Sequence, residues 1–283
     1  MRTVRTVAEL REALRPARRE ERTIGLVPTM GALHEGHLSL LRAARERCDV
    51  VVVSLFVNPT QFDQQADLQA YPRDEARDAE LAAAAGADLL FAPPAEEVYR
   101  PGFATTVHVA GLTEPLEGEH RGVAHFDGVA TVVTKLLNMV GPDVAFFGQK
   151  DAQQALVVRR LVADLDLPVE IDVRPTVREP DGLALSSRNA HLAPAERERS
   201  LALSRALEAA RAAYAGGERD AAALTGAARA AMTPFAVEPE YLALVHPETL
   251  APLATVDGEG ALLAVAARVG STRLIDNVVI RRS

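Results

Sequence analysis

Residues 50–57 constrain the fold most. The stretch is eight residues long, five of them valine, with Ser54 as its one polar side chain. β-branched side chains suit a pleated surface, and a run this apolar predicts a strand inside a sheet. Shorter apolar runs at 23–27, 88–91, 144–147 and 169–173 predict further strands, and 105–109 another. Helical patterns fall between them at 38–47, 74–85, 129–140 and 152–164. Strand, helix and strand at this spacing mean βαβ crossovers, hence a parallel sheet with helices on both faces. Beyond residue 176 the texture changes. Helices are expected at 194–215, closed by Gly216 and Gly217, and at 220–232. Strand-like segments follow at 241–245, 261–267 and 274–280. The chain reads as an α/β domain over 1–176 and a smaller α+β domain over 177–283.

Several function classes drop out on composition. A chain of 283 residues with net charge −8 does not offer a broad nucleic-acid surface, although local basic sites for small anions remain open. No apolar run approaches the roughly 20 residues that span a bilayer. The N-terminal residues lack the apolar stretch of a secretory signal. The lone Cys48 excludes an internal disulfide and a multi-cysteine metal site, so a reducing cytoplasm is expected. Arginine is the default cation here, and the only lysines are Lys135 and Lys150. A retained lysine can mark a place that needs a compact charge rather than a fork.

The chemistry gathers where predicted strands end, which is where open parallel sheets bind ligands. After the first strand come Pro28, Thr29, Met30, Gly31, Ala32, Leu33, His34, Glu35, Gly36 and His37. Glycines there let backbone approach a ligand, and the helix that follows offers unpaired N–H groups to phosphate. His34 and His37 are three residues apart, so both project to one side of the first turn. After the valine-rich strand come Asn58, Pro59, Thr60, Gln61 and Phe62, whose amides suit a ligand with hydroxyls and a carboxylate. A third strand end carries Gly148, Gln149, Lys150 and Asp151, with Gln154 in the next helical turn. The bland role of Asp151 is a helix cap. Near the domain junction, Leu185, Ser186, Ser187, Arg188 and Asn189 form a loop able to wrap polyphosphate. Neither a Walker A motif nor a Gly-x-Gly-x-x-Gly turn is present, which argues against P-loop and nicotinamide enzymes.

These motifs, together with Thr272, Arg273, Leu274, Ile275, Asp276 and Asn277 near the C-terminus, resemble the pantothenate synthetases, the pantoate–β-alanine ligases of the HIGH-type nucleotidyltransferase superfamily. The resemblance covers nearly the whole chain. It implies a Rossmann-like N-terminal domain, a smaller C-terminal lid domain, a cytoplasmic homodimer, ATP as substrate and Mg²⁺. It implies that pantoate carboxylate attacks the α-phosphate of ATP and that the amine of β-alanine then attacks the pantoyl adenylate. A carboxylate is ionised at about pH 7, so the first step needs positioning and charge neutralisation rather than a general base.

Carried over by motif, His37 is catalytic with His34 and Lys150. Residues 30–37 and 148–151, Val177, and Leu185 to Arg188 bind ATP. Gln61 and Gln154 bind pantoate, and Gln61 also meets β-alanine. Asp78 is a candidate magnesium ligand in an acidic segment that departs from the family pattern. Two further departures stand out. Arg121-Gly122-Val123-Ala124-His125-Phe126 has one residue more than the family's Arg-Pro-Gly-His-Phe, which leaves the placement of Arg121 open. Leu185 stands where methionine is usual, a change that conserves volume. The rival readings are another HIGH-type enzyme, such as a nucleotide adenylyltransferase or an aminoacyl-tRNA synthetase, and a nucleotide-binding protein without activity.

Overall fold

The computed structural model describes residues 1–62, 68–69 and 71–281. The chain divides into two compact units: Met1–Gln149 with Gln153–Pro175, and Thr176–Ser283 with Lys150–Ala152.

The first unit is built on six parallel strands: β1 (Arg2–Val4), β2 (Ile24–Thr29), β3 (Val50–Leu55), β4 (Leu89–Phe91), β5 (Val144–Gly148) and β6 (Glu170–Arg174). Their order in the sheet is β1-β4-β3-β2-β5-β6. The longer helices among the described residues are α1 (Val7–Arg19), α2 (Glu35–Arg47), α3 (Glu75–Ala84), α4 (Val123–Val140) and α5 (Ala152–Asp164). Residues 50–53 of β3 are buried because side chains leave both faces of the sheet and the faces are covered; Val51 and Val53 pack with Leu41 and Ala44 of α2. Helix α4 is buried on most of its sides, with Val129, Ala130, Thr131, Val132 and Val133 all inside, as an apolar helix packed into the interior of a domain is. Gly141, at φ +56°, ends that helix in the left-handed conformation that caps favour.

From β2 the chain moves outward on one side of the sheet, and from β5 on the other. Because β2 and β5 are neighbours, a crevice opens beyond their carboxyl ends. The turn after β2 and the turn after β5 therefore occupy the standard ligand position of this architecture.

The second unit holds α6 (Pro194–Ala215), α7 (Ala221–Met232) and an antiparallel sheet of β7 (Pro239–Val245), β8 (Ala261–Val269) and β9 (Thr272–Ile280), in the order β7-β8-β9. Leu203, Leu207 and Leu224 from the helices pack with Leu263 and Val265 from β8. Among the described residues no helix is long and apolar enough to cross a membrane.

The expected strand at 105–109 does not form. Val107 N–H instead donates to Thr131 Oγ1 at 2.9 Å, so this extended segment is tied to a helix rather than to a strand. The structure also contains β1 and α1, which the sequence pattern did not single out. Helix α1 is closed at its start by a reciprocal cap between Thr6 and Glu9, and it tolerates Pro16 in its interior.

Candidate active site

The turn from β2 into α2 is held in an uncommon backbone shape. Gly31 has φ +93° and Ala32 φ +51°, both left-handed. A β-carbon at Gly31 would stand 3.0 Å from Asp78 Oδ2, in a conformation that already disfavours a side chain. Asp78, on α3, is 1% exposed. Its two carboxylate oxygens accept from Ala32 N–H and Leu33 N–H, each at 2.8 Å. Both oxygens thus engage the strained turn, and the residue that resemblance offers as a magnesium ligand acts as its brace. Among the described residues no group of three His, Cys, Asp or Glu side chains is arranged to hold a metal.

At the start of α2, His34 is the N-cap. Its Nδ1 accepts from Gly36 N–H at 3.2 Å, and His37 Nδ1 accepts from His34 N–H at 3.4 Å. A backbone N–H can only donate, so Nδ1 is the unprotonated nitrogen in both rings and Nε2 carries the proton. The rings lie against each other, with centroids 4.1 Å apart. Two Nε2–H donors on adjacent rings at a helix N-terminus are chemically suited to an anion. Glu35 is exposed and paired with Arg42, so its side chain works on the surface. Met30 is half-buried in the same turn and Leu33 is buried.

The turn after β3 is organised by Asn58, which is 1% exposed. Asn58 Nδ2 donates to Gln61 Oε1 at 3.0 Å and to the Gly128 carbonyl at 3.1 Å. Asn58 Oδ1 accepts from Tyr99 Oη at 2.8 Å and from Thr60 Oγ1 at 2.9 Å. With its own amide filled, Asn58 serves to orient Gln61, whose carbonyl end it holds; Gln61 Nε2 is the end left to offer a ligand. Helix α4 comes this close only because residue 128 is glycine: a β-carbon there would lie 2.4 Å from the Thr60 carbonyl oxygen. His125 Nδ1 donates to the Gln61 carbonyl oxygen at 2.8 Å. Burial raises the Tyr99 phenol above its ordinary pKa, against a smaller opposing effect of the Thr60 hydrogen bond.

At the start of α5, Gln153 and Gln154 part company. Gln153 is buried and bonded to the backbone of Leu112, Pro115 and Glu117, a structural task. Gln154 is half-buried. Arg121 ends a one-turn helix, Glu117–Arg121, where its Nε donates to buried Glu117 at 2.7 Å.

In the second unit, Val177 and Leu185 are joined across a short hairpin. Leu185 N–H donates to the Val177 carbonyl at 3.0 Å, and Arg178 bridges Ala184 in antiparallel fashion. The hairpin delivers Ser186 to a short 3₁₀ turn, Ser187–His191, where its Oγ accepts from Arg188 N–H at 3.3 Å. A shallow surface cleft is lined by Lys150, Ser186, Arg188, Asn189, Arg273 and Asp276. Lys150 is 16% exposed, and its ammonium lies 3.5 Å from Asp151. Arg273 is engaged by Glu240, its Nε donating to Oε2 at 2.6 Å, so the cleft's ligand chemistry rests on Lys150, Arg188 and the Ser186 hydroxyl, types suited to phosphate.

Comparisons with known proteins give the chain's family and fold. The sequence profile of the family described as Pantoate-beta-alanine ligase matches residues 2–279. The chain belongs to the pantoate–β-alanine ligase family. It is 56% identical over 280 residues to pantothenate synthetase 1 of Bradyrhizobium diazoefficiens, covering 99% of this chain and 98% of the relative. The structure matches the pantothenate synthetase of Thermus thermophilus with a TM-score of 0.93 at 50% identity, over 100% of both chains. It also matches the pantoate–β-alanine ligase of Francisella tularensis, solved with Beta-gamma ATP and β-alanine, with a TM-score of 0.80 at 31% identity, over 99% of this chain and 97% of that one.

Within this family member, the residues singled out by sequence form two local sets. His34, His37 and Gln61 lie in the first unit, and Lys150, Val177 and the Ser186–Arg188 turn in the second. Sequence reasoning missed Tyr99 and Gly128, and it offered Asn58 as a ligand contact where the structure makes it a hub. Gly128 lay just before the predicted helical stretch 129–140, and only the structure places it inside α4 (Val123–Val140).

Proposed function

We propose that this chain joins (R)-pantoate to β-alanine with ATP, yielding pantothenate, AMP and pyrophosphate through a pantoyl adenylate. The observation that carries the reading is Gln61, its amide oriented by buried Asn58 at a strand end, in a chain whose whole length matches this ligase family. That the Francisella ligase was solved with a nucleotide and β-alanine supports ATP and β-alanine as substrates here.

In the first step a pantoate carboxylate oxygen attacks the α-phosphorus of ATP, and the bond to pyrophosphate breaks. His34 and His37 donate from Nε2 to the phosphates, Lys150 and Arg188 neutralise the charge that builds there, and the Ser186 and Ser187 hydroxyls donate hydrogen bonds to it. The turn at 30–37, residues Gly148, Gln149 and Asp151, and Leu185 contact ATP, with the Val177 backbone meeting the adenine. Gln61 and Gln154 hold pantoate by its oxygens. In the second step the amine of β-alanine attacks the acyl carbon, the bond to AMP breaks, and the amine proton leaves to solvent. Gln61 also orients β-alanine. Mg²⁺ would enter as MgATP, as part of the substrate. The family resemblance further supports a homodimer in the cytoplasm, which light scattering of the purified protein and fractionation of cells would test.

The deciding experiment is ATP–pyrophosphate exchange with a panel of acids. Exchange should require pantoate and proceed without β-alanine. Equal exchange with amino acids, or none with pantoate, would overturn the reading.

A further inference from the structure

We propose that Asn277 is a positioning residue for adenylation, acting through Lys150. Asn277 lies on β9, 5% exposed, and pairs in register with Ala264 of β8. Its Nδ2 donates to the Lys150 backbone carbonyl at 2.9 Å. Its own N–H donates to Asp276 Oδ1 at 2.8 Å. Asp276, 3% exposed, receives both ends of the Arg178 guanidinium, at 2.6 and 2.9 Å. Arg178 in turn donates to the Gly182 carbonyl at 3.0 Å, closing the hairpin that carries Val177 and Leu185. One two-residue step on a rigid strand therefore grips both the turn that bears Lys150 and the hairpin assigned to adenine. Lysine is a point charge on a flexible stem, so the place of its ammonium depends on how firmly its backbone is held. A strand of an antiparallel sheet supplies a more exact anchor than a loop would.

The inference rests on the role given above to Lys150, and the experiment separates the two. Pantoate-dependent ATP–pyrophosphate exchange is measured for the full chain, for Asn277→Ala, for Asn277→Leu (similar volume, no donor), for Lys150→Ala and for the double variant Lys150→Ala/Asn277→Ala. Circular dichroism and thermal unfolding report folding, and calorimetry reports pantoate affinity. Either Asn277 variant should lower maximal exchange by roughly 10- to 100-fold, the scale of a displaced reacting group. Pantoate affinity should be unchanged. In the Lys150→Ala background, Asn277→Ala should cost less than about twofold more, because the group it positions is already gone. Normal exchange in folded Asn277 variants beside a crippled Lys150→Ala overturns the positioning role alone. Normal exchange in Lys150→Ala overturns both. A full penalty from Asn277→Ala in the Lys150→Ala background, or failure of both single Asn277 variants to fold, makes Asn277 a structural residue and also overturns the proposal.

Discussion

Asn58 Nδ2 donates to Gln61 Oε1 at 3.0 Å, and this contact fixes which end of the Gln61 amide can meet a ligand. Asn58 is buried and its amide is saturated by Gly128, Tyr99 and Thr60 as well as Gln61. The two amides therefore divide the labour of one turn: Asn58 holds its shape and Gln61 reads the substrate.

Replacing Gln61 with Ala should weaken pantoate binding and leave ATP binding nearly intact. Losing a hydrogen bond and stranding its partner costs about 1–3 kcal/mol. That corresponds to roughly 5- to 150-fold in affinity. Separate titrations of pantoate and ATP check it. A loss confined to ATP would remove Gln61 from the acid pocket.

For His37→Ala and Lys150→Ala, adenylation should fall by about 10²–10³-fold, the usual loss for one donor to a developing charge. Stability should change by no more than about 1 kcal/mol. His37 is a partner in the cap at the start of α2, and Lys150 pairs with the exposed Asp151. Single-turnover adenylation beside urea unfolding separates the two effects. Near-normal adenylation in either folded variant would refute that residue's role.

Asp78→Asn should destabilise the protein without changing its magnesium requirement. An amide presents one oxygen where the carboxylate presents two, so Ala32 N–H or Leu33 N–H loses its acceptor. The cost is about 1–3 kcal/mol per buried amide left unpaired. Urea unfolding and a magnesium titration of the exchange reaction measure the two quantities. A raised magnesium requirement with unchanged stability would restore Asp78 as a metal ligand.

The turn at Asn58 should also leave an alkaline signature. Tyr99 has its phenol pKa raised, chiefly by burial. An acid whose pKa is higher in the folded state keeps its proton after the unfolded chain has lost its own. Stability linked to Tyr99 is therefore fully present below the ordinary tyrosine pKa of about 10 and is lost as pH rises from there through the folded value. The urea midpoint of the natural protein should fall more steeply above pH 10 than that of Tyr99→Phe. Parallel curves for the two proteins would show that Tyr99 carries no such linkage.

Secondary structure was most legible where local chemistry marks both ends of an element. The helices at 152–164 and 194–215 form over the residues their patterns predict, and Pro194 and Gly216 mark the limits of the longer one. Strands β2, β3 and β5 announced themselves through apolar runs, since a strand covered on both faces has no polar side to show. Three-residue β1 is too short to display any period, and Pro16 hides α1. The segment at 105–109 has the look of a strand, but a strand needs an edge to pair with.

The chain alone also determined which residue types stand at the strand ends: two histidines at a helix start, an amide pair after β3, a scarce lysine after β5. Those are local properties, set by neighbours in sequence and by where a parallel sheet places its turns. Which of them touches a ligand and which holds another in place was decided only by tertiary structure. Asn58 meets Gly128 across 70 residues, Asp78 meets Ala32 across 46, and Asn277 meets Lys150 across 127. The physical reason is that periodicity records burial, whereas a hydrogen bond needs donor and acceptor within about 3 Å. Approaches that close arise only once the distant segments have packed.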